Sequence, residues 1–170
     1  MFHRYLIAGL AVMTFTLCAM ADVHRNDENQ FEARFPTKSQ RLTKPIEGSG
    51  QLTLAHSHDL ARTFIVGAIA NDGQELNSEQ SQEFGTNFVE GYMKERKNAT
   101  ILNEEEIKLN DTTPRGNSYL VKHDRGWFFA WTTVENGKGY FVIVEGLTEA
   151  SLQGEVVKNF KNSVKIMSVK

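Results

Sequence analysis

The chain reads as a mainly antiparallel α/β (α+β) domain with two principal helices, either an α/β/α sandwich or a curved sheet with helices mostly on one side. Three observations carry this. Strand-like runs follow one another through short turn sequences, which favours hairpins over crossovers. The runs Phe64 to Ala70 and Trp127 to Val134 are apolar on both faces, so each side of the sheet needs a cover. Two helical stripes, around Phe88 and around Phe160, are available to supply it.

Each element has a local cause. Phe31-Glu32-Ala33-Arg34-Phe35 alternates and stops at Pro36, a short first strand. Thr37 to Gly50 is polar, contains Pro45 and closes on Gly48-Ser49-Gly50, so a loop is expected. Gln51 to His58 alternates with Leu52 and Leu54 on one face, and Asp59-Leu60 turns the chain into Arg62 to Ala70. Asn71-Asp72-Gly73 ends that strand. Ser78 to Lys97 is expected to be helical: Phe84, Phe88 and Tyr92 recur every four residues, flanked by Val89 and Met93, and Lys94, Arg96 and Lys97 suit the negative end of the helix dipole. Strands then follow at Thr100 to Leu109, Asn117 to His123, Trp127 to Glu135 and Gly139 to Glu145. Asp124-Arg125-Gly126 joins one pair. Asn136-Gly137 joins the next, because a type I′ turn needs positive φ at both central positions. The last helix starts near Thr148 with Leu152, Val156, Phe160 and Val164 at steps of four, and Lys165 to Val169 adds a terminal strand.

The first 21 of the 170 residues have the form of a secretory signal peptide. His3 and Arg4 make a positive head, an apolar run extends from Tyr5 to Leu17, and Ala19-Met20-Ala21 is a small-x-small cleavage pattern. The run is too short to span a bilayer. Cleavage after Ala21 leaves Asp22 to Lys170, with residues 22–30 a flexible polar arm and residues 31–170 a single α/β domain. That length is enough to bury roughly 70% of the unfolded surface. The one cysteine, Cys18, falls within the leader, and Leu17 before it is unsuited to lipid attachment. The mature chain therefore lacks disulfides and thiol chemistry. Loss of Arg4 leaves 18 Lys+Arg against 21 Asp+Glu, a balance of −3. A mildly acidic surface excludes the electrostatic footprint of a nucleic-acid binder. A periplasmic or secreted protein with no transmembrane segment in its mature chain is expected.

The pattern Phe31-x-x-x-Phe35-Pro36, a hairpin, a helix, then Ile107-x-Leu109-Asn110 leading through Pro114-x-Gly116 into a strand pair resembles the Mog1/PsbP-like fold. So does the closing helix with Val157-x-x-Phe160-x-x-Ser163 before a terminal strand. The resemblance covers nearly all of the mature chain. It implies a binding or assembly module rather than an enzyme, and it carries over no functional residue.

Several constellations could carry chemistry. Once the amine of Asp22 is free, Asp22-Val23-His24 can wrap Cu(II) or Ni(II) in a plane of four nitrogens: amine, two amides and an imidazole. His56 and His58 share one face of a strand and could hold a metal, with Asp59 or His123 as third ligand. The bland reading places that pair at a solvated strand end. Trp127, Phe129 and Trp131 project from one face, opposite Tyr140, Val142 and Val144, and could floor a pocket for a small apolar ligand. The alternative is core beneath a helix. Glu104 and Glu106 share a face with Glu105 opposite, a pattern that fits an edge guard better than paired catalytic carboxylates. Asn98-Ala99-Thr100 and Asn110-Asp111-Thr112 are glycosylation sequons only in a eukaryotic source. There is no nucleophile elbow, and Gly48-Ser49-Gly50 is too short for a phosphate loop.

These readings converge on a non-enzymatic periplasmic binding or accessory module, acting through a protein-facing surface or shallow groove. Its partner would be another envelope protein or a small apolar ligand. The alternative is a copper- or nickel-handling protein using Asp22-Val23-His24 or His56/His58. A third is a hydrolase whose site has no recognisable motif.

Overall fold

A computed structural model describes residues 21–46, 50–71 and 78–167. The signal peptide, apart from Ala21, and most of Gly48-Ser49-Gly50 lie outside the described residues. Among those described, the strands are β1 (Asp22–Asn26), β2 (Phe31–Phe35), β3 (Gln40–Ile46), β4 (Gly50–His58), β5 (Arg62–Asn71), β6 (Thr100–Lys108), β7 (Arg115–His123), β8 (Gly126–Glu135), β9 (Lys138–Gly146) and β10 (Lys165–Ile166). The helices are α1 (Ser78–Met93), a single 3₁₀ turn (Glu149–Leu152) and α2 (Glu155–Ser163).

Seven strands form one antiparallel sheet in the order β3-β4-β5-β9-β8-β7-β6. Two runs of hairpins meet where β5 pairs with β9, from Arg62 opposite Gly146 to Ile69 opposite Gly139. The expected tight turn is present: Asn136 and Gly137 both have positive φ, 51° and 69°, and join β8 to β9. The strands that read as apolar on both faces lie inside the sheet, and each face has its cover. On one face, α1 seals Phe128, Ala130, Phe141, Ile143, Tyr119 and Val121. On the other, Phe64, Val66, Ala68, Val142, Val144 and Trp131 pack against α2 and a small sheet of order β1-β2-β10. The mainly antiparallel α/β/α sandwich with two principal helices is thus the architecture observed.

Helix α1 differs in detail from its reading. It ends at Met93, short of Lys97. Arg96 then folds back, donating from Nη1 to the Tyr92 carbonyl at 2.7 Å, so a side chain satisfies a carbonyl that the next helical turn would have used. Val89 is the deepest residue of the helix, while Phe88 is half-buried and stacks on Phe141 with ring centroids 4.4 Å apart. Phe84 lies over Gly139, where any Cβ would overlap its ring.

The last helix is split. Thr148 caps the 3₁₀ turn by accepting from Ser151 N, and Gly154, at φ 91°, starts α2 afresh. The split rotates the stripe: Val157, Phe160 and Val164 are buried, whereas Val156 turns outward. Phe160 closes an aromatic cluster with Phe35 at 5.3 Å and Phe64 at 5.1 Å.

Two segments expected to be irregular are strands. Asp22–Asn26 forms β1 and pairs with β2 through the whole of its length, in place of a flexible arm. Asn26 Oδ1 accepts from Asn29 N at 2.9 Å and closes the intervening turn. Gln40–Ile46 forms β3, an exposed edge strand paired only to β4. Pro45 is compatible with that position because an edge strand has one side free of ladder bonds. Among the described residues, no helix is long and apolar enough to cross a membrane.

The two covers give separate expectations. Phe160→Ala should destabilise by about 3–5 kcal/mol, and Phe88→Ala by about 3 because it is only half-buried. Urea unfolding midpoints check both. Unchanged midpoints would mean that the stripes do not seal the sheet.

Candidate binding surfaces

Strand β1 places the Asp22-Val23-His24 sequence against β2, with Asp22 opposite Phe35, Val23 opposite Arg34 and His24 opposite Ala33. The Asp22 carboxylate accepts from Ser39 Oγ at 2.6 Å and Ser39 N at 2.7 Å, and these bonds hold it below the usual carboxylate range. The His24 ring stacks on Phe31 at 6.0 Å. Burial, aided by Arg41, pushes its imidazole below the ordinary value. A four-nitrogen chelate would need the amides of Val23 and His24 to leave strand geometry, so metal binding there competes with β1–β2 pairing.

His56 and His58 do share a face. His56 Nδ1 lies 3.2 Å from His58 Nε2, and His58 Nδ1 lies 2.9 Å from Thr63 Oγ1. Neither suggested third ligand joins them. The Asp59 carboxylate is held by Ala61 N at 2.9 Å, Arg62 N at 2.7 Å and Arg62 Nε at 2.8 Å. Burial raises its pKa, but these bonds outweigh that and the net shift is downward. His123 sits on β7, four strands away in the order β4-β5-β9-β8-β7. At ~4.8 Å per strand that is roughly 19 Å, too far for a shared ion. Among the described residues, no three His, Cys, Asp or Glu side chains gather closely enough to hold a metal.

His123 belongs instead to a buried polar group under the end of α1. Its Nδ1 accepts from Arg125 N at 3.3 Å, and its Nε2 stands 3.3 Å from Glu145 Oε1. That contact is close enough for attraction but is not a directed hydrogen bond. Glu145 also accepts from Tyr92 Oη at 2.9 Å and from Arg96 Nη2 at 2.8 Å. Burial pushes the Glu145 carboxyl up, yet Arg96 and Tyr92 more than offset it and leave it depressed. The Tyr92 hydroxyl, buried beside Glu145, is raised well above its ordinary value. The cluster ties α1 to β9.

The aromatic face of β8 divides. Trp131 is fully buried, with Nε1 donating to the Ile107 carbonyl at 3.3 Å, and serves as core. Trp127 is half-buried with the Lys122 ammonium 5.5 Å from its ring. Phe129, opposite Val144 in register, floors a cleft of about 240 Å³ that Leu120, Ile107 and Leu152 also line. Lys161 of α2 closes it, with Nζ 3.3 Å from the centre of the Phe129 ring. Burial lowers the Lys161 ammonium from 10.5 to about 8. Sequence reasoning missed this residue. The available signal was the four-residue step from Val157 to Lys161, which puts the lysine on the buried flank of the helix. Glu104, Glu105 and Glu106 are exposed on edge strand β6, where Glu106 and Glu105 border cavities on opposite faces.

A larger depression of about 660 Å³ runs along α2 beside the outer face of β1 and β2. Phe35 and Phe160 line its base, Val23 and Val156 stand at its sides, and Arg34 and Lys165 supply positive charge. Val23 is 53% exposed and Val156 37%, so apolar surface is open to solvent on both sides. Lys165 Nζ pairs with Glu32 Oε1 at 2.9 Å, while Arg34 has no ion pair among the described contacts. Val156 was missed as a surface residue because the unbroken four-residue stripe placed it in the core.

Fold and surface together define a PsbP-like α/β/α domain with a grooved face. The architecture is similar to that of the solution structure of cyanobacterial PsbP (CyanoP) from Synechocystis sp. PCC 6803, with a TM-score of 0.56 at 10% sequence identity, covering 94% of this chain and 98% of that one. The Mog1/PsbP-like fold expected from the sequence is therefore the fold of this chain, and similarity at this level carries architecture alone. No protein-family model and no curated protein matches the sequence.

The Lys161 environment has a direct consequence for stability. Because its folded-state pKa lies near 8 and the unfolded value near 10.5, the folded chain binds fewer protons between those limits. Stability should rise as pH increases across that window. Urea titrations from pH 7 to 10.5 should show a rise in the wild type that is smaller in Lys161→Met. Equal slopes would place the ammonium in ordinary solvent.

Proposed function

We propose that the chain is an exported, non-enzymatic binding or accessory module whose working surface is the groove between α2 and the outer face of β1–β2. The observation that carries this reading is the open apolar lining of that groove, with Val23 and Val156 exposed above Phe35 and Phe160. Exposed apolar surface within a concavity is what a partner's side chain can bury for gain. Arg34 adds a cation able to meet a carboxylate on that partner. Periplasmic or secreted localisation rests on the signal-peptide pattern, which places cleavage after Ala21 at the edge of the same groove.

A photo-crosslinking residue at position 156, in protein expressed in its native envelope, should capture one discrete partner. Val23→Asp should abolish capture while leaving the thermal midpoint within about 2 °C of the parent. Capture that persists in Val23→Asp, or that is equally strong from position 90 on α1, across the sheet, would overturn the groove as the working surface.

The metal-handling alternative is favoured by the position of Asp22, where cleavage would expose a new amine on the surface. Protein whose intact mass begins at Asp22 should bind one Cu(II) through Asp22-Val23-His24 and show a visible d–d band, lost in His24→Ala and retained in His56→Ala. Because β1 must unpair, affinity should be at least ~10-fold below that of a free peptide of the same first residues, a difference of about 1.4 kcal/mol. Binding should weaken as pH falls, since protons compete for the nitrogens. A band that survives His24→Ala and is lost in His56→Ala would move the site to β4.

A further inference from the structure

We propose that the cleft beneath α2 is a covalent but reversible binding site for a small aromatic aldehyde, which Lys161 captures as an imine. Three observations carry it. The Lys161 amine has no hydrogen bond or ion pair among the described contacts, and its neighbour is the Phe129 ring, 3.3 Å from Nζ to the ring centre. The cleft of about 240 Å³ opens beside that nitrogen, which is room for a single-ring compound. Its walls are chemically mixed in a useful way: Phe129, Leu120 and Leu152 offer apolar contact to a ring, and Glu105 and Glu149 stand among the lining residues.

Chemistry selects the ligand class. A cation destined for ion pairing would be seated against a carboxylate, but Glu105 and Glu149 share the cleft without pairing to Lys161. The Phe129 ring face attracts the ammonium, but burial outweighs it and favours the neutral amine, which is a nucleophile toward carbonyl carbon. The nitrogen lone pair attacks the aldehyde carbon and forms the C–N bond, and the carbonyl π pair moves to oxygen. A proton passes from nitrogen to that oxygen. A second protonation, by solvent, lets water leave as the C=N bond forms. The balance is amine plus aldehyde giving imine plus water, with no oxidation or reduction. Water returned to the cleft reverses the step. The depressed ammonium value near 8 supports the same assignment, because it leaves roughly a tenth of the amine neutral at pH 7, far more than an ordinary lysine.

The test uses full-chain protein, benzaldehyde as probe and cyanoborohydride to trap the imine, followed by peptide mass spectrometry. Lys158 and Lys165, close in sequence to Lys161, are internal controls. Lys161 should be labelled at least ~10-fold faster than either control at pH 7.5, and its rate should show a midpoint near pH 8 rather than the ordinary lysine value of about 10.4. Propionaldehyde should lose most of that selectivity, because it has no ring to set against Phe129. Phe129→Leu should reduce the benzaldehyde preference without abolishing labelling, and Lys161→Arg should abolish the label with the thermal melt retained. Labelling at Lys161 no faster than at Lys158 and Lys165 would overturn the site. Equal selectivity for benzaldehyde and propionaldehyde would overturn the aromatic ligand class.

Discussion

The rest of the structure follows from β5, β8 and β9 being apolar on both faces. A strand with one wet face can finish its sheet against solvent, but these three cannot. Phe141, Ile143 and Ala130 on one side, and Val66, Val142 and Trp131 on the other, each need a cover. One long amphipathic helix supplies the first. The second side is broader than a nine-residue helix can seal, and the small sheet β1-β2-β10 completes it. This explains why a polar segment such as Asp22–Asn26 is ordered: it extends β2, whose Phe31, Ala33 and Phe35 are fully buried in that second cover. The groove along α2 arises where two unlike covering elements, a helix and a sheet, meet with imperfect fit.

The buried polar groups divide by role. Glu145 accepts from both Tyr92 and Arg96, with His123 alongside, and the group joins α1 to the sheet beyond its last helical turn. Partial burial makes such a network worth more than surface ion pairs, provided that its members remain paired. Lys161 has no comparable partner and stands over an aromatic ring. A paired cluster reads as structural attachment, whereas a lone amine facing a cavity has unused chemical capacity. That contrast, rather than depth of burial alone, separates the two places.

What the sequence made legible was periodic. The Asn136-Gly137 turn, the alternation that sets Phe129 and Trp131 opposite Val144 and Val142, and the α1 stripe depend on spacing and local turn chemistry. The parts that escaped depend on context. β3 contains Pro45 and polar residues, and only its edge position makes a strand acceptable there. β1 lacks an apolar face and takes its order from β2. The break at Gly154 changed which residues of α2 face inward, exposing Val156 and bringing Lys161 toward Phe129. Both candidate surfaces descend from that one glycine, whose φ of 91° no periodicity rule encodes.

The two free edges of the large sheet carry opposite charge. β3 presents Arg41 and Lys44, while β6 presents Glu104, Glu105 and Glu106. Like edges brought together repel, which disfavours a symmetric dimer built by joining two sheets. Unlike edges attract, and head-to-tail addition has no natural end point. Two irregularities stand against such polymers: Pro45 removes a backbone donor from β3, and a register shift between Ile101 and Asn103 interrupts the ladder of β6. The charge pattern that would template a growing fibre is thus carried on backbones unsuited to propagate it, and colloidal stability depends on a proline and a bulge as much as on net charge.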